Sequence, residues 1–358
     1  QALGASKVVL ARAAKMGGAP TLWSRFVQRL AAVAGEGPWR EAVQRGARYL
    51  ALAHELDRPR EMQRIRAPEP RPPVAARPMV LSVTDVEHWL RDPYTIYAKY
   101  VLRLAPLDAV DTPPGYADRG TVIHASIGDF TKACVDGLPA NAVDELLDIG
   151  RAHFARLNDY PEAKAFWWPR FERIARWFVD DWERGRRGTL AAIHAEIRGE
   201  LEILLGDRVF RLVARADRIE RKADGRYAIL DYKTGQARTV GQVQAGLAPQ
   251  LTLEAAILRN GRFPGIAKGA SVSELAYVLL KGGAPAGLYE PIEFRESTPD
   301  NEADIALRRL TGVALRFADV ETPYRSLVQP MWRTRYGDYD HLARIKEWSL
   351  TGGETEEE

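Results

Sequence analysis

The chain has 358 residues, 46% of them hydrophobic and 28% charged, with a net charge of +3 at neutral pH. These values describe an ordinary globular protein longer than one average domain, exclude disorder throughout, and permit a polyanionic partner without requiring one. A single cysteine, Cys134, excludes an internal disulfide and any metal cluster held by cysteines of this chain alone. No apolar run reaches the ~18 residues of a membrane span and no export signal is visible, so the cytoplasm is the default expectation.

Residues 1–57 carry helical spacing in Leu22, Phe26, Leu30 and Val33, then in Ala42, Ala47, Leu50 and Leu52. They predict a helical segment, the tail of a preceding helicase-like domain, and the start at Gln1 is what a fragment of a longer polypeptide would show. Residues 58–80 are rich in proline and arginine and predict an extended linker, because proline blocks both helix and sheet pairing. The main domain is expected over residues 81–325. It begins with "LSVTDVEHWLRDPYTIYAKYVL", a helix with Thr84 as its N-cap and an apolar stripe of Val86, Trp89 and Leu90 that Pro93 interrupts. In "GTVIHASIGDFTKACV", Ile123, Ile127, Phe130 and Cys134 share one helical face, with His124 at its edge. A long helical region over 141–187 interleaves Trp167, Trp168, Trp177 and Trp182 with Arg170, Arg173 and Arg176. Its spacing favours tryptophans packed inward over a surface that stacks on bases.

The period then changes. From His194 to Gly235 apolar and polar residues alternate around the turn signals Gly206-Asp207 and Asp224-Gly225, predicting three antiparallel strands with Asp217 on the second and Asp231 on the third. "VQAGLAPQLTLEAAILRN" is helical again, "ELAYVLLK" and "YEPIEFRE" are strands, and Thr298-Pro299 opens a helix to about Phe317. Residues 326–358 are expected to form a tail that packs on the domain and then frays at "GETEEE".

The chemistry concentrates in "AILDYKTG". Along a strand Asp231 and Lys233 project from one face and Tyr232 from the other. Alone, this pattern describes a salt-bridged strand end. The second turn, however, brings Asp217 toward Asp231, and two converging carboxylates need a proton or a cation between them, a hard divalent ion being the natural choice for oxygen ligands. Such an ion polarises a phosphoryl oxygen and acidifies water, and Lys233 can orient that water or stabilise developing charge. Phosphodiester hydrolysis is the reaction suggested. Glu196 and Glu200, on the strand before and spaced to face one side, offer a further carboxylate, with Glu196 preferred. The bland alternatives are an ion pair of Asp217 with Arg215 or Arg218, a core-edge role for His124, and backbone bridging by Gln250. Cys134 sits on an apolar face and should be inert, and the absence of a Gly-x-x-x-x-Gly-Lys-Ser/Thr loop argues against ATP hydrolysis by this chain.

Taken in order, His124 in "GTVIHASI", Asp217 in "ARADRIE", Asp231 and Lys233 in "LDYKTG" and Gln250 in "PQLTLEAA" resemble the RecB-type nuclease family of the PD-(D/E)xK superfamily, from about Leu81 to about Tyr324. The resemblance implies an α/β restriction-endonuclease-like fold, a mixed sheet flanked by helices. It also implies a DNA nuclease that uses Mg²⁺, for which Mn²⁺ can substitute. His124, Asp217, Asp231 and the Tyr232 main-chain carbonyl would hold the metal, with Glu196 as a further candidate; Lys233 would serve the attacking water and Gln250 would support the site or contact DNA. The flanks "LSVTDVEHWLRDPYTIYAKYVLRL" and "YDHLARIKEW" are similar to the C-terminal region of the AddB subunit family. That likeness implies broken duplex ends and single-stranded DNA as partners, an AddA-like helicase–nuclease subunit, no membrane, and cleavage of the 5′-ended strand.

The chain departs from the family in two places. Many relatives hold an iron–sulfur cluster through four cysteines, one in a Cys-Pro pair; that place here reads Asp92-Pro93, so no iron–sulfur cluster is expected and packing by the tail from Tyr339 to Trp348 would close the fold. The Gln helix commonly carries Tyr four residues on, where this chain has Glu254. A catalytically inactive module that binds DNA or docks on a helicase subunit is the competing class.

Overall fold

In the computed structural model, which describes residues 4–58, 65–105, 107, 111–326, 328 and 337–349, the chain divides into two units, one up to Ile65 and one from Arg66 onward. The first holds a short hairpin, β1 (Lys15–Met16) and β2 (Ala19–Pro20), and two helices, α1 (Arg25–Ala34) and α2 (Glu36–Asp57). The hairpin stands inside a segment expected to be helical because Gly17 and Gly18 both take positive φ, 54° and 81°, a conformation glycine adopts without penalty. Ser24 caps α1 by accepting from the Val27 N–H. Residues 59–64 of the expected linker lie outside the described residues.

The second unit is built on a six-stranded mixed sheet. Its strands are β3 (Val80–Ser82), β4 (Leu190–Leu205), β5 (Arg208–Lys222), β6 (Tyr227–Lys233), β7 (Val272–Leu280) and β8 (Gly287–Pro291), ordered β3-β5-β6-β7-β8 with β4 paired to β5. The alternating stretch forms the expected antiparallel run β4-β5-β6, and Gly206 and Gly225 make its turns at φ 67° and 85°. β3 runs parallel to β5 and β7 parallel to β6, while β8 is antiparallel to β7. β8 begins earlier than "YEPIEFRE" suggested and ends at Pro291, a residue with no N–H to give to a ladder.

The helices of this unit are α3 (Val83–Arg91), α4 (Pro93–Ile96), α5 (Tyr116–Ala133), α6 (Ala142–Phe154), α7 (Pro161–Arg176), α8 (Arg184–Arg187), α9 (Val240–Gln244), α10 (Gln250–Arg259), α11 (Pro299–Ala318) and α12 (Ile345–Trp348). The N-cap of α3 lies two residues before the expected one. Ser82, not Thr84, is the N-cap: its Oγ accepts from the Asp85 N–H at 3.0 Å and Asp85 Oδ2 accepts from the Ser82 N–H at 3.3 Å, a capping box with both partners in place. The region 141–187 is not one helix, because Pro161 starts a new one and Trp177–Glu183 forms a π-helical turn.

Two cores result, one on each face of the sheet. Residues of α3, α10 and α11, such as Trp89, Leu253 and Leu310, pack with Ile229, Leu275 and Ile219 on one face. On the other, Ile123, Ile127 and Phe130 of α5, Leu146 of α6, and Phe171 and Phe178 pack on Ala228, Leu230, Tyr232 and Val278. The mixed sheet flanked by helices is thus the architecture the resemblance implied. In the tail, Tyr339, Ala343 and Ile345 are buried with Tyr94 and Ala98, and the Tyr339 hydroxyl donates to the Leu104 carbonyl at 2.7 Å. The end "GETEEE" lies outside the described residues.

Candidate active site

Strand alternation fails at one place, and the site forms there. Ala216 and Ile219 belong to the core on the α10 side, whereas the Arg218 guanidinium lies over the Trp182 ring of the opposite core, 4.9 Å from its centroid. Asp217 therefore stands where β5 changes face. Across the ladder, between the pairs Ala195↔Arg218 and Ile197↔Ala216, Glu196 takes φ 52°. A left-handed non-glycine residue inside a strand costs energy and re-aims its neighbours. Asp217 is turned toward the end of β6, and its Oδ2 accepts the Tyr232 N–H at 2.8 Å, just beyond the last β5–β6 pair, Arg218↔Leu230.

The ion pairs expected as alternatives for Asp217 do not form. Arg215 pairs with Glu196 at 2.5 Å, and Arg218 is taken by Glu183 and Glu220 at 2.8 and 2.7 Å on the far face. The nearest basic group to Asp217 is His124 on α5, with Nδ1 3.7 Å from Oδ2. α5 lies close to the end of β6: a Cβ on Gly120 would meet Thr234 Oγ1 at 3.1 Å. Burial holds the His124 imidazole below its ordinary pKa, against the pull of Asp231 and the Tyr232 backbone, so it is neutral and keeps a lone pair at physiological pH. The Tyr232 ring, as expected, packs away from the carboxylates, buried 5.9 Å from Phe178.

Asp231, Lys233 and Gln250 form a closed group. Gln250 Nε2 donates to Asp231 Oδ1 at 2.6 Å, Lys233 Nζ pairs with Asp231 Oδ2 at 2.7 Å, and Lys233 Nζ donates to Gln250 Oε1 at 3.4 Å. Burial works against the Lys233 charge, but the Asp231 carboxylate outweighs it and holds the ammonium above the ordinary lysine range. One helical turn on from Gln250, Glu254 offers Oε1 to the same Gln250 Nε2 at 3.3 Å, while its buried Oε2 has no hydrogen-bond partner among the described residues. Read from sequence only as a departure from tyrosine, Glu254 belongs to the site; its i,i+4 spacing from Gln250 was the signal.

The electrostatics favour a cation. Burial first, and the neighbouring Asp231 next, push the Asp217 carboxyl well above the usual carboxylate range; burial, Asp231 and Asp217 do the same to Glu254. Three acidic groups crowded out of solvent want a proton or a positive ion among them, and carboxylate oxygens beside a neutral imidazole suit a hard divalent metal. Among the described residues, no three His, Cys, Asp or Glu side chains converge on one point; the Asp231 oxygens face Lys233 and Gln250 instead. Glu196 reaches toward α5, and Glu200 goes elsewhere, half exposed and 3.5 Å from Arg211. The two glutamates keep to one side, because their partners Arg215 and Arg211 both alternate with the core residues Leu212 and Ala214 of β5. The tryptophans of 167–182 pack against the α5–α7 core, and Cys134 is buried. No helix among the described residues is long and apolar enough to cross a membrane.

Residues 80–329 match the family model described as the PD-(D/E)XK nuclease superfamily. The chain is 34% identical over 187 residues to an uncharacterized protein of Rickettsia bellii (strain RML369-C), covering 51% of this chain and 22% of that protein. It is 33% identical over 193 residues to an uncharacterized protein of Rickettsia typhi (strain ATCC VR-144 / Wilmington), covering 52% and 22%. The chain thus matches under a quarter of the length of these curated relatives. A solved structure titled "Crystal structure of SSO0001" is similar at a TM-score of 0.28 and 12% identity, covering 73% of this chain and 82% of that one; a likeness of this size says nothing about function.

Proposed function

The chain belongs to the PD-(D/E)XK nuclease superfamily, and from that premise we propose that it is the metal-dependent DNA nuclease domain of an AddB-like subunit. In this reading it hydrolyses phosphodiesters with Mg²⁺, or Mn²⁺ in its place, and works in the cytoplasm with an AddA-like helicase–nuclease subunit. Its substrates are broken duplex ends and the single strands made from them, and it cuts the 5′-ended strand. The similarity of the flanking segments to the AddB family supports the subunit assignment. The observation that carries the nuclease reading is the group Asp231–Lys233–Gln250 facing Asp217 and His124, in which buried acids accumulate beside a lysine held charged.

Asp217, Asp231, His124 and the Tyr232 carbonyl would hold the metal, with Glu196 at hand. When bound, the ion supplies Lewis-acid stabilisation of the phosphodiester charge and a nucleophile at neutral pH. The chain's own residues do the rest. Lys233, anchored by Asp231 and Gln250, presents a fixed positive charge to the attacking water and to the charge that grows on phosphate oxygens. Gln250 fixes the Asp231 carboxylate by donating to one oxygen, and Asp217, fixed by the Tyr232 N–H, keeps its second oxygen for a ligand.

The competing reading, a nuclease fold retained for DNA binding or docking, draws on Glu254 in place of tyrosine. Incubating the purified chain with end-labelled linear duplex and single-stranded DNA separates the two. Degradation in Mg²⁺ that stops in EDTA supports the nuclease; binding without cleavage in either Mg²⁺ or Mn²⁺ supports the module. Which labelled end is lost first tests strand choice.

A further inference from the structure

A recess of about 1000 Å³ opens beside the site, with Gln250 in its wall and Arg198, Arg215, Arg262 and Glu200 around it. One wall is β4. The other is the loop after α10, tied to that strand by the Glu200 N–H donating to the Arg262 carbonyl at 3.3 Å. Contact between the walls is close: a Cβ on Gly199 would fall 2.6 Å from the Phe263 ring, so only glycine lets that ring seat beneath β4. Gly261 and Gly265, at φ 65° and 77°, bend the loop so that Arg262 faces solvent.

The charges of this recess do not cancel. Arg215 is paired with Glu196 and Glu200 with Arg211, whereas Arg198 and Arg262 are exposed and have no acidic partner among the described residues. Two uncompensated guanidinium groups in a recess that Gln250 helps to line, with Gln250 itself 2.6 Å from Asp231, favour a polyanion that is continuous with the substrate of the site. Guanidinium groups are suited to phosphate by their fork of donors. A volume of roughly 1000 Å³, the top of the range for a compact ligand pocket, has room for a few nucleotides of one strand.

We propose that this recess carries one strand of DNA past Gln250 to the site, with Arg198 and Arg262 each holding a backbone phosphate. This deepens the nuclease reading and rests on it for the identity of the polyanion. The test is fluorescence anisotropy of a labelled oligothymidylate with the full chain in EDTA, where no cutting occurs. The variants are the doubles Arg198→Gln/Arg262→Gln and Arg198→Glu/Arg262→Glu, with Arg308→Glu, exposed on α11, as the control.

Two lost phosphate contacts should weaken binding about tenfold and flatten the salt dependence of log K by about 1.4, at about 0.7 per contact on single strands. Arg308→Glu should bind as wild type does. Unchanged affinity and salt slope in both double variants, or no binding by wild type at low salt, would each overturn the proposal. Because the readout needs no catalysis, a chain that binds through these arginines but never cuts would sink the nuclease reading alone, and one that cuts with wild-type KM in the double variants would sink only the recess.

Discussion

Glu196 lays its carboxylate across Gly128 of α5, where an added Cβ would stand 2.6 Å from Oε1 and 3.2 Å from Cδ. The glycine is what leaves room for this acid beside Asp217, whose carboxyl it helps to push up. Gly128→Ala should therefore push this flexible side chain aside at a cost that offsets the ordinary gain of about 0.5–1 kcal/mol from glycine to alanine in a helix, for little net change in stability. Gly312→Ala in α11, where nothing lies within 4 Å, should instead stabilise by about 0.5–1 kcal/mol, the ordinary gain from glycine to alanine in a helix. Urea unfolding of the two variants side by side checks the contrast, and equal shifts would show that Glu196 does not need the space.

Glu254 gives a pH dependence whose sign can be worked out. Its carboxyl lies well above the ordinary 4.5 in the folded chain, through burial and then through Asp231 and Asp217. Between those two values the folded chain holds a proton that the unfolded chain has lost, so stability falls as pH rises through the window, by up to about 1.4 kcal/mol per pH unit. A Glu254→Gln variant does not titrate and keeps an acceptor for Gln250. In EDTA its melting temperature should match wild type near pH 4.5 and exceed it progressively toward pH 8. A gap that stays constant across that range would contradict the raised carboxyl.

Arg218 is fully buried between Glu183 and Glu220, directly behind the strand position that carries Asp217. Replacing it with methionine fills the space but removes the counter-charge of two buried acids, a change that typically costs about 3–5 kcal/mol. Arg187 still reaches Glu183 and Arg186 still reaches Glu220, so the lower end of that range is expected. The measurement is the urea midpoint at unchanged slope; a loss below about 1 kcal/mol would mean the network adds little.

The strands that carry the chemistry were legible because alternation over Leu190–Lys233 is strong and its two turns contain glycine. Same-face projection of Asp231 and Lys233 followed from the strand period alone. What alternation could not show is where it stops. The left-handed Glu196 and the change of face at Asp217 are departures from the period, and no pattern of apolar and polar residues marks them. Capping was misplaced for a related reason: Ser82 and Thr84 are both plausible N-caps by type, and only the reciprocal bond from Asp85 chooses Ser82. Glu254 escaped as a member of the site because a carboxylate on a buried helix face reads as an error until the acids around it are seen in space.

The central claim is that Asp217 belongs to the ion and Lys233 to the reaction. Mn²⁺ binding by titration calorimetry and DNA cleavage in Mg²⁺ should be measured together on wild type, Asp217→Asn and Lys233→Met. Asp217→Asn is expected to lose both binding and cleavage, whereas Lys233→Met should still bind Mn²⁺ and cut about 10²–10³-fold more slowly, the usual effect of removing one charge-stabilising group. Equal cleavage by all three proteins, or undiminished Mn²⁺ binding by Asp217→Asn, would contradict it.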